Sequence, residues 1–131
     1  MNTDEQAVAT ALKTYERALN ASDTNACMEV YASDGVFMPQ NSPSSVGIDA
    51  VRRAYDAVFA AIKPTVEFEV AEIRQLAPDW VLARTNSAGK VTIHATGQES
   101  PEANQELFLF QKVQGAWRIA RYCFSTTNPP G

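Results

Sequence analysis

The stretch Asn104–Thr126 reads NQELFLFQKVQGAWRIARYCFST. Apolar and polar side chains alternate through it, and Gln114-Gly115 interrupts the alternation as a tight turn. The pattern predicts two antiparallel strands, Asn104–Val113 and Ala116–Thr126, joined as a hairpin. On the first strand Asn104, Glu106, Phe108 and Phe110 share one face, and Gln105, Leu107, Leu109 and Gln111 share the other. On the second strand Ala120, Tyr122 and Phe124 are expected inside, with Trp117, Ile119, Arg121 and Cys123 outside. A carboxylate in line with two phenylalanines is unusual. If that face points into the protein, Glu106 loses solvent, and its pKa rises unless a cation lies near.

Upstream of this hairpin the period is also two. From Thr65, the residues Val66, Phe68 and Val70 alternate with Glu67, Glu69 and Ala71. The phase slips before Ile73 and Leu76, which predicts a bulge and a bend. Ala77-Pro78-Asp79 is a turn. Trp80 to about Ala95 reads as a long strand, with Ser87-Ala88-Gly89 as an expected kink, and Gly97–Pro101 as a loop.

Before Thr65 the period is helical. Val8, Leu12, Tyr15 and Leu19 form one stripe on a helix of about five turns, with Thr3-Asp4-Glu5-Gln6 as its expected capping box. Asp23 caps a shorter helix whose apolar face is Cys27, Met28 and Tyr31. Ser33-Asp34-Gly35 reads as a turn, Val36-Phe37-Met38 as a short strand closed by Pro39, and Gln40–Gly47 as a polar loop. A third helix starts at Ile48 with Val51, Tyr55, Val58, Phe59 and Ile62 on one side, and Pro64 stops it. Three helices followed by an antiparallel meander predict an α+β fold, the helices packed on one face of a curved sheet. A bent sheet closed by a long helix makes a cone, whose mouth is a natural ligand site.

Bulk properties narrow the function. At 131 residues there is room for one domain, 1–131. The net charge is −4 and no Lys/Arg cluster exists, which argues against nucleic acid as a partner. The polar start, Asn2-Thr3-Asp4-Glu5, is unlike a signal peptide, and no apolar run is long enough to span a membrane. Cys27 and Cys123 read as reduced core thiols of a cytoplasmic protein. His94 has no second histidine or cysteine at ligand spacing, and no phosphate loop, nucleophile elbow or zinc motif is present. No metal or cofactor is therefore expected.

Several strings in order resemble the nuclear transport factor 2-like superfamily, which includes ketosteroid isomerases, polyketide cyclases and limonene epoxide hydrolase. They are Tyr15-Glu16-Arg17-Ala18-Leu19-Asn20-Ala21-Ser22-Asp23, Tyr31-Ala32-Ser33-Asp34-Gly35-Val36-Phe37, Gly47-Ile48-Asp49-Ala50-Val51-Arg52 and Gly115-Ala116-Trp117-Arg118-Ile119. The pattern is most similar to the steroid delta-isomerase-like branch. The resemblance implies a cystatin-like cone. It also places Tyr15 and Glu106 where the isomerases keep a tyrosine and a protonated carboxylic acid that together donate hydrogen bonds to a ligand oxygen. The isomerases' general base, an aspartate at the end of the first strand, has no counterpart in Phe37-Met38-Pro39.

The resemblance also turns Trp80, Leu82, Arg84 and Asn86 toward the pocket. An Arg84–Glu106 pair would keep the carboxylate ionised. Such a pair has three readings: a buried ion pair that fixes the sheet, a ligand-orienting pair, or an acid–base pair. The expected site therefore comprises Tyr15, Glu106 and Arg84 for chemistry. Asn86 and Asn104 would supply further polar contacts, with Phe59, Phe68, Phe108, Phe110, Tyr122 and Phe124 as walls for a small, largely apolar or ring-containing molecule. Epoxide hydrolysis, which needs an Asp–Arg–Asp set, is only partly supplied.

The alternative to a ligand site is a non-catalytic association module. The outer sheet face, with Leu107 and Leu109 among polar residues, has no helix left to cover it and predicts a homodimer. A cavity below about 150 Å³ would lie under ordinary ligand-site volumes and favour that alternative.

Overall fold

The computed structural model describes residues 1–128; the expected tail Asn128–Gly131 lies, beyond Asn128, outside the described residues. The chain forms α1 (Thr3–Asn20), α2 (Thr24–Val30), β1 (Tyr31–Met38), β2 (Ser45–Val46), α3 (Ile48–Ala61), β3 (Ile62–Ala77), β4 (Trp80–Ile93), β5 (Glu99–Val113) and β6 (Ala116–Thr126). The six strands make one sheet in the order β2-β1-β6-β5-β4-β3. Every neighbouring pair is antiparallel except β1 and β6, which run parallel. The ends β2 and β3 do not meet, so the sheet is open, with three helices packed against it, as the α+β reading expected.

The helices begin where polar side chains satisfy their free N–H groups, although not always at the expected residue. Asn2, not Thr3, caps α1: its Oδ1 accepts from the Glu5 N–H while Glu5 Oε1 accepts from the Asn2 N–H. Glu5 also accepts from the Gln75 backbone N–H through Oε2, tying the helix start to β3. At the other end Asn20 pairs with both backbone groups of Val66 on β3. The long helix is thus tied to β3 near both ends, and between them Glu16 Oε2 accepts from the Phe68 N–H. Its stripe of Val8, Leu12, Tyr15 and Ala18 is buried against the sheet. Asp23 caps α2, as its position predicted.

The strands depart from expectation at their irregular points. Tyr31 belongs to β1 rather than to α2, and Ser33-Asp34-Gly35 lies within β1, where the pairing to β6 shifts register between Tyr31 and Val36. The loop after Pro39 contains a two-residue strand, Ser45–Val46. The slip predicted in β3 is real, with register shifts between Val70 and Glu72 and between Gln75 and Ala77. A further shift, between Leu109 and Phe110 on β5, places Ala120 as the extra residue of β6. It changes the phase of that strand, so Trp117 and Ile119 are buried with Tyr122 and not exposed with Arg121 as expected.

Ser87-Ala88-Gly89 does not kink β4, whose register with β3 runs without interruption from Val70 back to Ile62. Gly89 is needed for a different reason. A Cβ there would stand 2.1 Å from the Thr65 carbonyl oxygen and 2.8 Å from the Val66 Cα. Gly89→Ala is expected to push β3 and β4 apart and cost about 1–3 kcal/mol, the usual range for overpacking. An unchanged urea midpoint would show that the strands tolerate a methyl group at that crossing.

Candidate functional site

The helix-facing side of the sheet is lined by aromatic rings. Phe108 on β5 stacks on Tyr122 of β6 with ring centroids 4.1 Å apart and planes 1° apart. Tyr15 of α1 meets Phe68, Phe108 and Tyr122 at centroid distances of 5.9, 5.9 and 5.8 Å. Contacts of this kind add about 0.5–1.5 kcal/mol each beyond their area.

The ring cluster carries polar atoms that need partners. Tyr15, Tyr31 and Tyr55 are each at most 2% exposed. Their hydroxyls form a chain: Tyr15 to Tyr55 at 2.6 Å and Tyr55 to Tyr31 at 2.7 Å. Burial raises the pKa of all three well above the ordinary tyrosine value, so they are neutral hydroxyls. Three hydroxyls hold three protons and the two links use two. When Tyr31 donates to Tyr55 and Tyr55 to Tyr15, the Tyr15 proton is left for a partner outside the trio, and the hydroxyl of buried Tyr122 lies beside it.

Glu106 is the buried carboxyl, 5% exposed. Its register partner across the sheet is Thr85, so both side chains lie on the inner face. Thr85 Oγ1 donates to Glu106 Oε1 at 2.6 Å and Ser87 Oγ donates to Oε2 at 2.5 Å. Burial raises the carboxyl's pKa, and the two hydroxyl donors, Ser87 and then Thr85, oppose the rise without cancelling it. Tyr122 is held neutral by burial first, and then by the charge of nearby Glu106.

Arg84 is not its partner. The inner residues of β4 are Val81, Ala83, Thr85 and Ser87, whereas Arg84 and Asn86 are exposed on the outer face. Arg84 Nε pairs there with Glu72 Oε1 at 2.7 Å. The expected Arg84–Glu106 pair and the expected pocket role of Asn86 are therefore both corrected by the phase of β4. Small inner residues leave room for the aromatic rings and α1, while the larger Trp80 and Leu82 lie half-covered outside.

Between the helices and the inner face lies a cavity of about 140 Å³. Tyr15, Tyr55, Phe68, Ser87, Glu102, Asn104, Glu106, Tyr122 and Phe124 are among its lining residues, with aliphatic walls from Leu19, Val58, Ile62, Val66 and Val91. Of the expected site residues, the fold brings together Tyr15, Glu106, Asn104, Phe68, Tyr122 and Phe124. Phe108 and Phe110 are wholly buried behind the wall, and Phe59 packs on Tyr55 at a centroid distance of 6.0 Å. The end of β1 contributes Phe37 and Pro39 to the lining, so it offers no titratable group.

Tyr31, Tyr55, Thr85, Ser87 and Glu102 were not anticipated as site residues. The tyrosines read as apolar stripe members, and the hydroxyls became visible only once β4 was in phase. The signal for Glu102 was its spacing of four from Glu106 on an alternating strand. No group of His, Cys, Asp and Glu able to hold a metal forms among the described residues.

Because its pKa is raised on folding, Glu106 binds its proton more tightly in the folded chain than in the unfolded one. Its contribution is full below the unfolded carboxylate pKa and is lost as pH rises through the raised folded value. Wild type is therefore expected to lose stability relative to Glu106→Gln as pH increases from about 4 toward 8. Paired melting curves check this, and a difference independent of pH would place the carboxyl in solvent.

The sequence of residues 12–121 matches the family model described as the SnoaL-like domain. Among curated proteins none matches the chain. Among solved structures, the chain is similar to a ketosteroid isomerase-like protein from Erwinia carotovora atroseptica SCRI1043, with 35% identity, a TM-score of 0.94, and coverage of 98% of this chain and 100% of that one. A nuclear transport factor 2-like superfamily protein from Salmonella enterica serovar Typhimurium LT2 shares the fold, with 13% identity, a TM-score of 0.83, and coverage of 97% and 93%. So does a protein with a cystatin-like fold from Nostoc punctiforme PCC 73102, with 14% identity, a TM-score of 0.77, and coverage of 98% and 94%. With a family match spanning most of its length and a full-length structural relative at 35% identity, the chain belongs to the SnoaL-like domain family.

Proposed function

We propose that the cavity binds a small, single-ring molecule through a carbonyl or phenolic oxygen, with Tyr15 and Glu106 as the polar contacts. The supporting observation is that the end of a three-tyrosine hydroxyl chain and a buried carboxyl line one largely apolar cavity. A donor at the end of such a chain is strengthened by the donors behind it. Burial raises the pKa of Glu106, so its carboxyl takes up a proton more readily and in that form is a second donor. Two preorganised donors in a water-poor site favour charge that develops on a bound oxygen. This is the chemistry of isomerase- and cyclase-type enzymes that pass through an enolate, and the similarity to a ketosteroid isomerase-like protein agrees with it.

The volume of about 140 Å³ limits the ligand's size. An apolar cavity near 150 Å³ accommodates benzene, whereas drug-sized ligands need about 300 Å³ or more. A one-ring compound fits within this volume; a fused four-ring skeleton would extend beyond it. Titration with 4-fluorophenol, followed by fluorine NMR, tests the reading. Wild type is expected to bind it in preference to fluorobenzene, with Tyr15→Phe and Glu106→Gln each weakening binding about tenfold. Equal affinity for the two probes would remove the oxygen site.

The same small volume falls on the association-module side of the mark near 150 Å³, and the outer sheet face supports that second reading. Leu107 is 41% exposed there, with Trp80, Leu82, Leu109 and Cys123 half-covered around it. We propose a homodimer through this face, compatible with a ligand in each protomer. Cys27 and Cys123 are both free thiols, in keeping with a reducing, cytoplasmic setting. Sedimentation should give a dimer that Leu107→Glu converts to monomer; a wild-type monomer at tens of micromolar would discard the interface.

A further inference from the structure

The oxygen site supplies donors but no group to accept a proton, and the end of β1 supplies none either. The cavity does contain a second carboxylate. Glu102, Asn104 and Glu106 stand at alternate positions on the inner face of β5, and all three line the cavity. Glu106 lies at the buried end, held by Thr85 and Ser87. Glu102 lies at the rim, only partly covered, and its register partner on β4 is Gly89, which presents no side chain. Asn104 Nδ2 donates to Glu102 Oε2 at 3.0 Å, turning the carboxylate along the strand toward the site. About 13 Å of backbone separates the two glutamates, by the rise of an extended strand. Both side chains line the same cavity.

Other titratable groups in the lining do not suit the task. Tyr15, Tyr55 and Tyr122 are buried neutral hydroxyls, and Glu106 is engaged by two donors. Outside the cavity, Asp4 is held by Gln75, Trp117 and Lys112, and Cys27 is buried, with its thiol pushed up to about 12. Glu102 is thus the one lining carboxylate, among the described residues, that is open to solvent.

Resting on the oxygen-site reading, we infer that Glu102 is the general base of the pocket, removing a proton from the carbon next to a ligand carbonyl held by Tyr15 and Glu106. In this step the C–H bond breaks and its electron pair becomes the new carbon–carbon π bond. The carbonyl π pair moves onto oxygen, where the two donors receive it, and the proton bonds to the Glu102 carboxylate. Return of that proton to the same carbon gives exchange with solvent. In a β,γ-unsaturated ketone, return to the γ carbon gives the conjugated isomer. No oxidant, metal or second substrate is consumed. The substrate class is a single-ring ketone with an acidic C–H beside the carbonyl.

The test follows deuterium uptake at the α carbons of cyclohexanone in buffered D₂O by NMR, for wild type, Glu102→Gln and Glu102→Asp, alongside 4-fluorophenol binding. Wild type is expected to accelerate uptake over buffer. Glu102→Gln should lower the rate about 100-fold or more, the usual contribution of a positioned base, while its 4-fluorophenol affinity stays within about threefold. Glu102→Asp should retain part of the rate. Uptake in Glu102→Gln equal to wild type overturns the assignment, as does a wild type that binds 4-fluorophenol yet gives no acceleration. Failure to bind 4-fluorophenol at all removes the oxygen site itself, and the base assignment with it.

Discussion

Tyr15, Tyr31, Tyr55 and Glu106 carry oxygen atoms into an apolar interior, and the arrangement around them follows from their need for partners. An unpaired hydroxyl in such a place costs on the order of 1–3 kcal/mol, and an unpaired carboxyl more. The three tyrosines come from α1, β1 and α3, elements that pack together only in the finished fold. Their hydroxyls satisfy one another, so each ring contributes apolar area without leaving a polar atom stranded. Glu106 finds its partners in two hydroxyls of the neighbouring strand, which the register of β4 with β5 places on the same face.

Much of this was legible because alternation is a strong signal. The inner face of β5 followed from Glu106, Phe108 and Phe110 alone, and the stripe of α1 followed from Val8, Leu12 and Tyr15. Strand β4 resisted for a physical reason. Its outer residues include Trp80 and Leu82, which are larger than the inner Ala83, Thr85 and Ser87. Bulk normally marks the core, but here the core space is already taken by rings from other elements. The partner assigned to Glu106 was therefore a cation, when the fold supplies hydroxyls. The Ala120 irregularity in β6 was equally silent, since one inserted residue leaves no compositional trace.

The tyrosine chain was hidden by a different ambiguity. A tyrosine on an amphipathic helix stripe is a core residue by its ring and a candidate donor by its hydroxyl. Sequence spacing reports the ring's direction, while the hydroxyl's partner depends on elements far away along the chain. Tyr15 and Tyr55 are 40 residues apart, and Tyr31 and Tyr55 are 24 apart. Only packing brings these oxygens within bonding distance. Polar networks are in general the last layer that pattern reading reaches, whereas the apolar stripe is the first.

The parallel pairing of β1 with β6 bears on how a nascent chain matures. Tyr31 aligns with Ile119 and Met38 with Cys123, so a strand made early in translation docks on the last strand of the sheet. Until that segment leaves the ribosome, β1 exposes an edge, and Phe37 lacks its ring partners Tyr122 and Phe124. Closing so long a loop is entropically slow compared with forming local hairpins. The meander from β3 to β5 can assemble as it emerges, while the floor of the cavity waits for the final strand.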